Sequence, residues 1–199
     1  MKYPNSLQEL IECFKMLPGI GEKNAERLAF ACLKFDKEQT NVFSNSIKEI
    51  KEKIKKCEVC NNLTEEDKCE ICKDNSRNSE VLCVVENTKN LILFEKANIF
   101  NGKYHVLEGL ISPLEGINPE DIKINQLINR IKKENIKEVI LALTPSIEGE
   151  TTSAYILKML EGYDVNVTKI ASGIPVGADM EYLDPLTIAR AMEGRKKIS

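Results

Sequence analysis

Residues 57–72 read CEVCNNLTEEDKCEIC, and this run decides how the chain is divided. Cys57-x2-Cys60 and Cys69-x2-Cys72 are two short knuckles joined by the eight-residue spacer NNLTEEDK. Each knuckle can turn both sulfurs toward one point. Four thiolates complete a tetrahedral zinc site with no open position, so the centre is structural and not catalytic. The spacer is poor in apolar residues, and the metal replaces a core that the segment cannot build. The thiolate set would also suit iron, and a redox pair is the competing reading of Cys-x2-Cys.

Upstream of this run the periodicity is helical throughout. SLQELIECFKM (6–16) places Leu7, Leu10, Ile11 and Phe14 at helical spacing. Ser6 is the expected N-cap, with Glu9 completing a capping box. Pro18, Gly19 and Gly21 stop that helix. A second begins near Glu22 with Ala25, Leu28, Ala29 and Cys32 on one face, and a third carries Val42, Phe43, Ile47, Ile50 and Ile54.

Downstream, KDNSRNSE (73–80) reads as a linker and the pattern then changes. VLCVVE (81–86), KYHVLEG (103–109), VILAL (139–143) and NVTKIA (166–171) read as strands. TKNLILFEKAN (88–98), INQLINRIKKENI (124–136) and TTSAYILKMLEG (151–162) read as helices between them. Strands alternating with helices predict a parallel sheet. A loop rich in Gly and Pro and a helix over about 185–193 follow. The expected class is α+β and multi-modular.

Of 199 residues, 42% are hydrophobic, enough for a core. No apolar run approaches a membrane span, and the start MKYPNSLQELIEC lacks a signal-peptide pattern, so a cytoplasmic protein is expected. The formal net charge is -3, but residues 1–56 hold 11 Lys/Arg against 8 Asp/Glu. That basic excess points to an N-terminal DNA contact or to an ordinary solvated helix face. Cys13, Cys32 and Cys83 lie in apolar surroundings and are expected to be buried. The single histidine, His105, sits in a strand-like run and is expected to be structural.

LPGIGEK (17–23) joins the first two helices. Gly19 and Gly21 let the backbone approach a ligand, and their amides open onto the N-terminus of the second helix, where an anion is favoured. Lys23 and Arg27 share one face beside it. Ile20 is the expected apolar anchor. The run resembles the helix-hairpin-helix motif of repair proteins, which grips the DNA backbone without reading bases. An ordinary corner between two helices is the alternative.

Residues 81 to about 171 resemble a Toprim domain, whose members hold Mg²⁺ with a Glu after the first strand and an Asp-x-Asp after a later one. Glu86 matches the first acid, whereas Thr144 and Ser146 occupy the aspartate positions. Two formal negative charges are thereby missing from a site that must hold a hard dication. Glu86, Glu148 and Glu150 are then expected to form an acidic patch for a basic protein partner. The rival expectation is a Mg²⁺-dependent nuclease or primase-like enzyme.

The order of modules, with the runs LPGIGEKNAERLAF, YHVLEGLISPLEGI, SIEGETTSAYI and SGIPVGADMEYLDPLTIARAMEGR, resembles the RecR family of bacterial recombination mediators. Thr144 and Ser146 depart from the Asn and Thr expected there, and Ala178 from a second Gly. The resemblance implies a helix-hairpin-helix region over 1–56, a zinc finger over 57–72, a Toprim domain over 80–172 and an oligomerising tail over 173–199. It implies a non-enzymatic, DNA-binding mediator that acts with RecO and RecF to load RecA onto single-stranded gaps. It further implies a ring-shaped homotetramer, to which Ile188, Ala189 and Met192 of the tail would contribute.

Overall fold

The computed structural model describes residues 3–195 and 197; the sequence expectations for residues 1, 2, 196, 198 and 199 lie outside it. The chain divides after Ile54 into two units.

In the first, α1 (Asn5–Lys15), α2 (Glu22–Cys32) and α3 (Lys37–Lys53) follow the expected periodicity. Leu7 and Ile11 on α1 bury against Ala25 and Ala29 on α2, with Ile20 packed beside them. The two alanines let the helix axes approach closely. Ser6 is not the cap: α1 starts at Asn5 with no side-chain cap, and the Pro4 carbonyl accepts from Leu7 and Gln8, both at 3.0 Å. A capping box does occur on α3. Asp36 accepts from the Gln39 backbone at 2.8 Å, and the Gln39 side chain accepts from the Asp36 backbone at 3.1 Å. Cys13 is exposed, contrary to expectation, because it lies off the Leu7–Ile11 stripe of α1; Cys83 is buried.

The second unit opens with the antiparallel pair β1 (Lys55–Lys56) and β2 (Leu63–Thr64), then α4 (Glu70–Lys73). There follow β3 (Asn78–Val85), α5 (Thr88–Ala97), β4 (Gly102–Val106), α6 (Ile124–Lys133), β5 (Glu138–Ala142), α7 (Ile147–Met159), β6 (Asn166–Lys169) and α8 (Pro185–Glu193). The four-stranded sheet runs β4-β3-β5-β6 and is parallel throughout. Leu82 and Val84 point to one face, where they pack with Leu127, Ile128 and Ile131 of α6 and Ile156 of α7. Cys83 and Val85 point to the other, against Leu91 of α5 and Tyr104. The chain leaves β3 first toward β4 and later toward β5, so the carboxyl ends of β3 and β5 form the topological switch point.

Two expectations need correction. The stretch 73–80 is not a bare linker: β3 already begins at Asn78, and Arg77 makes two hydrogen bonds to Glu95 at 2.9 and 2.5 Å. Helix α7 starts at Ile147, four residues before the expected Thr151, because the Ser146 hydroxyl accepts from the Gly149 backbone at 3.2 Å.

Candidate functional site

Three places carry chemistry. The first is the cysteine cluster. The sulfurs of Cys57, Cys60, Cys69 and Cys72 all lie within 4.8 Å of one another, and the first three are buried. A tetrahedron built on zinc–sulfur bonds of about 2.3 Å needs sulfurs about 3.8 Å apart, and Cys60 and Cys69 are 3.5 Å apart. The local backbone explains the convergence. Asn61 takes a left-handed conformation (φ 61) after the first knuckle, and its amide donates to the Cys57 carbonyl at 2.9 Å. The Cys69 amide donates to the Cys57 sulfur at 3.3 Å, as a thiolate acceptor requires. Sulfurs this close compete for the same protons: hydrogen bonds from the Cys60 and Cys72 thiols draw Cys69 far below an ordinary thiol, and the bond to Cys69 pushes Cys60 far above one. A dication resolves that competition by taking all four as thiolates. The donor set fits one structural zinc.

The cluster is sewn to the sheet. The Val106 amide of β4 donates to the Cys60 carbonyl at 2.8 Å, and the Asn61 side chain donates to the Val106 carbonyl at 3.2 Å. The free edge of β4 is thus covered by the first knuckle, while Arg130 of α6 donates to the Tyr104 carbonyl at 2.7 Å. Sequence reasoning missed Asn61 and Lys103. An Asn directly after the knuckle, where left-handed backbone is tolerated, was the legible signal for the first.

The second place is the turn between α1 and α2. Gly19 has φ +79, and a side chain at Gly19 or Gly21 would meet open space. Gly21 is the extended N-cap of α2 and has no side chain to occupy the first-turn amides. Lys23 and Arg27 are both exposed on α2. Glu22 lies in the same first turn and is paired with Lys15 at 2.7 Å, which reduces its repulsion of an anion. Open backbone amides and two exposed cations therefore belong to the same helix, α2, whose N-terminal end favours an anion.

The third is the switch point. Glu86 follows β3, and Thr144 follows β5 with its hydroxyl donating to Glu86 at 2.5 Å. Ser146 is committed to capping α7. Glu148 stands in the first turn of α7, where its own backbone amide and then the nearby Ser146 hydroxyl hold its carboxyl below the usual range. Glu150 is bound by Lys169 at 2.6 Å and Arg190 at 3.0 Å. These partners, Lys169 first, hold it below the usual range as well. Among the described residues, the four cysteines are the one group of three or more metal-ligating side chains gathered within 4.8 Å. Glu86, Glu148 and Glu150 are not brought together in that way.

The same order of modules emerges from comparison with known proteins. Residues 7–51 match the RecR helix-hairpin-helix model, 54–74 the RecR four-cysteine zinc-finger model, 80–171 a Toprim domain and 173–196 the RecR C-terminal model. The chain is 44% identical over 196 residues, 98% of each protein, to recombination protein RecR of Natranaerobius thermophilus. With four modules matched in order, a four-cysteine centre built for zinc and an identity that runs the length of the chain, this protein belongs to the RecR family of recombination proteins.

Proposed function

We propose that the chain is a non-catalytic mediator of recombinational DNA repair in the cytoplasm, which holds DNA without sequence preference and works with RecO and RecF to load RecA onto single-stranded gaps. One observation carries the non-catalytic part: the hydrogen bond from Thr144 to Glu86 at the switch point. Phosphoryl transfer there needs carboxylates that share a hard dication. A hydroxyl stands in that position instead and donates to the one remaining acid.

DNA contact falls to Gly19, Ile20, Gly21, Lys23 and Arg27, with Ile20 holding the turn and the two cations meeting phosphates. Cys57, Cys60, Cys69 and Cys72 hold the zinc. The modules divide as a helix-hairpin-helix region up to residue 56, the zinc finger over 57–72, the Toprim domain over 80–172 and the tail from 173. Exposed apolar side chains on α3 (Val42, Ile47, Ile50) and α8 (Ile188, Met192) support contacts between copies at both ends, as a ring-shaped tetramer would need.

Binding of labelled single-stranded and duplex DNA at low salt tests the reading. The Lys23→Ala, Arg27→Ala double variant is expected to lose at least tenfold in affinity on both, and the wild type is expected to leave both uncut in Mg²⁺. Equal binding by the two proteins would leave a pure adaptor. Mg²⁺-dependent cleavage or primer synthesis abolished by Glu86→Gln would make the chain an enzyme.

The acid patch of Glu86, Glu148 and Glu150 is the proposed seat of a basic RecO surface. Since Glu150 is already bound by Lys169 and Arg190, Glu86 and Glu148 carry most of the unneutralised charge. Charge reversal at Glu148 is expected to weaken RecO binding more than reversal at Glu150. Unchanged affinity in both would move the partner elsewhere.

A further inference from the structure

Lys103 of β4 is only 7% exposed. Its ammonium donates to three backbone carbonyls, those of Ile71 at 2.8 Å, Cys72 at 3.4 Å and Asp74 at 2.5 Å. No carboxylate lies within 4.0 Å of it among the described residues. A buried ammonium is heavily penalised unless an opposite charge compensates it. Carbonyl dipoles satisfy its donors but supply no net charge. Other cations of this unit have partners of the ordinary kind, such as Arg77 with Glu95 and Arg130 with Glu134.

Asp74 feels Lys103 from beyond ion-pair distance, and its carboxylate is engaged by Ser76 at 2.6 Å and Arg77 at 3.4 Å, so it is a weak counter-charge. A stronger one is next to Lys103. Four thiolates on one dication leave the metal centre doubly negative, and Cys72, whose carbonyl Lys103 touches, is one of the four. The other two carbonyls flank it in sequence. All three lie within or directly after α4, the single turn that Cys69 caps and that presents the second knuckle. Three residues further along the same strand, Val106 grips the first knuckle through the Cys60 carbonyl and the Asn61 side chain. One strand therefore holds both halves of the cluster, the first by its backbone and the second by a buried charge.

We propose that Lys103 is a positioning residue of the zinc centre, supplying the positive charge that balances the tetrathiolate and fixing the second knuckle at the spacing the metal needs. The role lies outside the ligand set and acts on zinc affinity. Changes in groups that orient ligands typically alter metal affinity by about 10- to 100-fold.

The test uses the full-length protein, zinc-loaded and zinc-stripped under reductant. Zinc transfer to a chromogenic chelator gives affinity, and thermal midpoints are read in both states. Lys103→Met, which keeps the apolar stem and removes the charge, is expected to weaken zinc binding by about 10- to 100-fold. It should lower the midpoint of the loaded protein and leave that of the stripped protein nearly unchanged. Lys103→Arg is expected to recover most of the affinity. With cobalt in place of zinc, Lys103→Met should keep the thiolate-to-metal absorption, because all four ligands remain. Equal loss of midpoint in both states would reduce Lys103 to a plain anchor and overturn the proposal. If the Met variant does not fold, Lys103→Gln keeps a donor without the charge. Wild-type zinc affinity in the Gln variant would overturn the proposal equally, and weakened affinity rescued by Lys103→Arg would support it.

Discussion

His105 shows how one residue can tie stability to acidity. It is fully buried in β4, its Nε2 lies 3.1 Å from the Lys123 carbonyl, and its Nδ1 has no partner among the described residues. Burial pushes the imidazole down to about 4, opposed by the Lys123 carbonyl and assisted by the Arg130 guanidinium. In an unfolded chain the same ring titrates near 6.5. As pH falls, the unfolded chain therefore takes up the proton first. The stabilisation is complete above pH 6.5, erodes below it and is gone once pH passes about 4, a total of roughly 3 kcal/mol. Urea midpoints measured from pH 7.5 to 5 should fall for the wild type and fall less steeply for His105→Gln. Protonation of zinc-bound thiolates affects both proteins alike, so the difference in slope belongs to His105. Parallel curves would assign the acid sensitivity to another group.

At the level of elements, what could be read in the sequence was what is local. The four cysteines announce themselves because ligand type and spacing lie within sixteen residues, and α2, α5, α6 and the four sheet strands follow their periodicities. What stayed hidden depends on distant partners. The start of α7 is set by a close approach: a Cβ on Gly149 would come within 1.9 Å of the Thr144 carbonyl, so only glycine allows the helix to begin there. Glu150 looked like a free acid because its partners, Lys169 and Arg190, lie 19 and 40 residues away. The burial of Lys103 could not be seen for the same reason, since a lysine in KYHVL carries no mark of the carbonyls that α4 brings to it. In the opposite sense, the apolar row of α3 was plain in the sequence, yet the chain leaves it uncovered: none of its residues is buried. A row of that kind is legible as amphipathic, but its partner is not.

For the whole molecule, the question is how a chain of net charge -3 holds a polyanion. One hairpin offers two exposed cations, Lys23 and Arg27, for the proposed phosphate contacts. On single-stranded DNA each contact contributes about -0.7 to the slope of log affinity against log salt, so one hairpin yields a slope of about -1.4. Four hairpins engaged together in a ring would give about -5.6. The two are easily separated by titration between 50 and 200 mM salt, and linked weak contacts would also explain useful affinity without a globally basic surface. The steep slope is expected for the wild type, together with a solution mass of four chains. Ile47→Glu, which places a charge in the exposed row of α3, should lower the mass and flatten the slope in parallel. A shallow slope from a protein that still weighs four chains would mean that the hairpins do not act on one strand at once, and linked hairpins would have to be given up as the source of affinity.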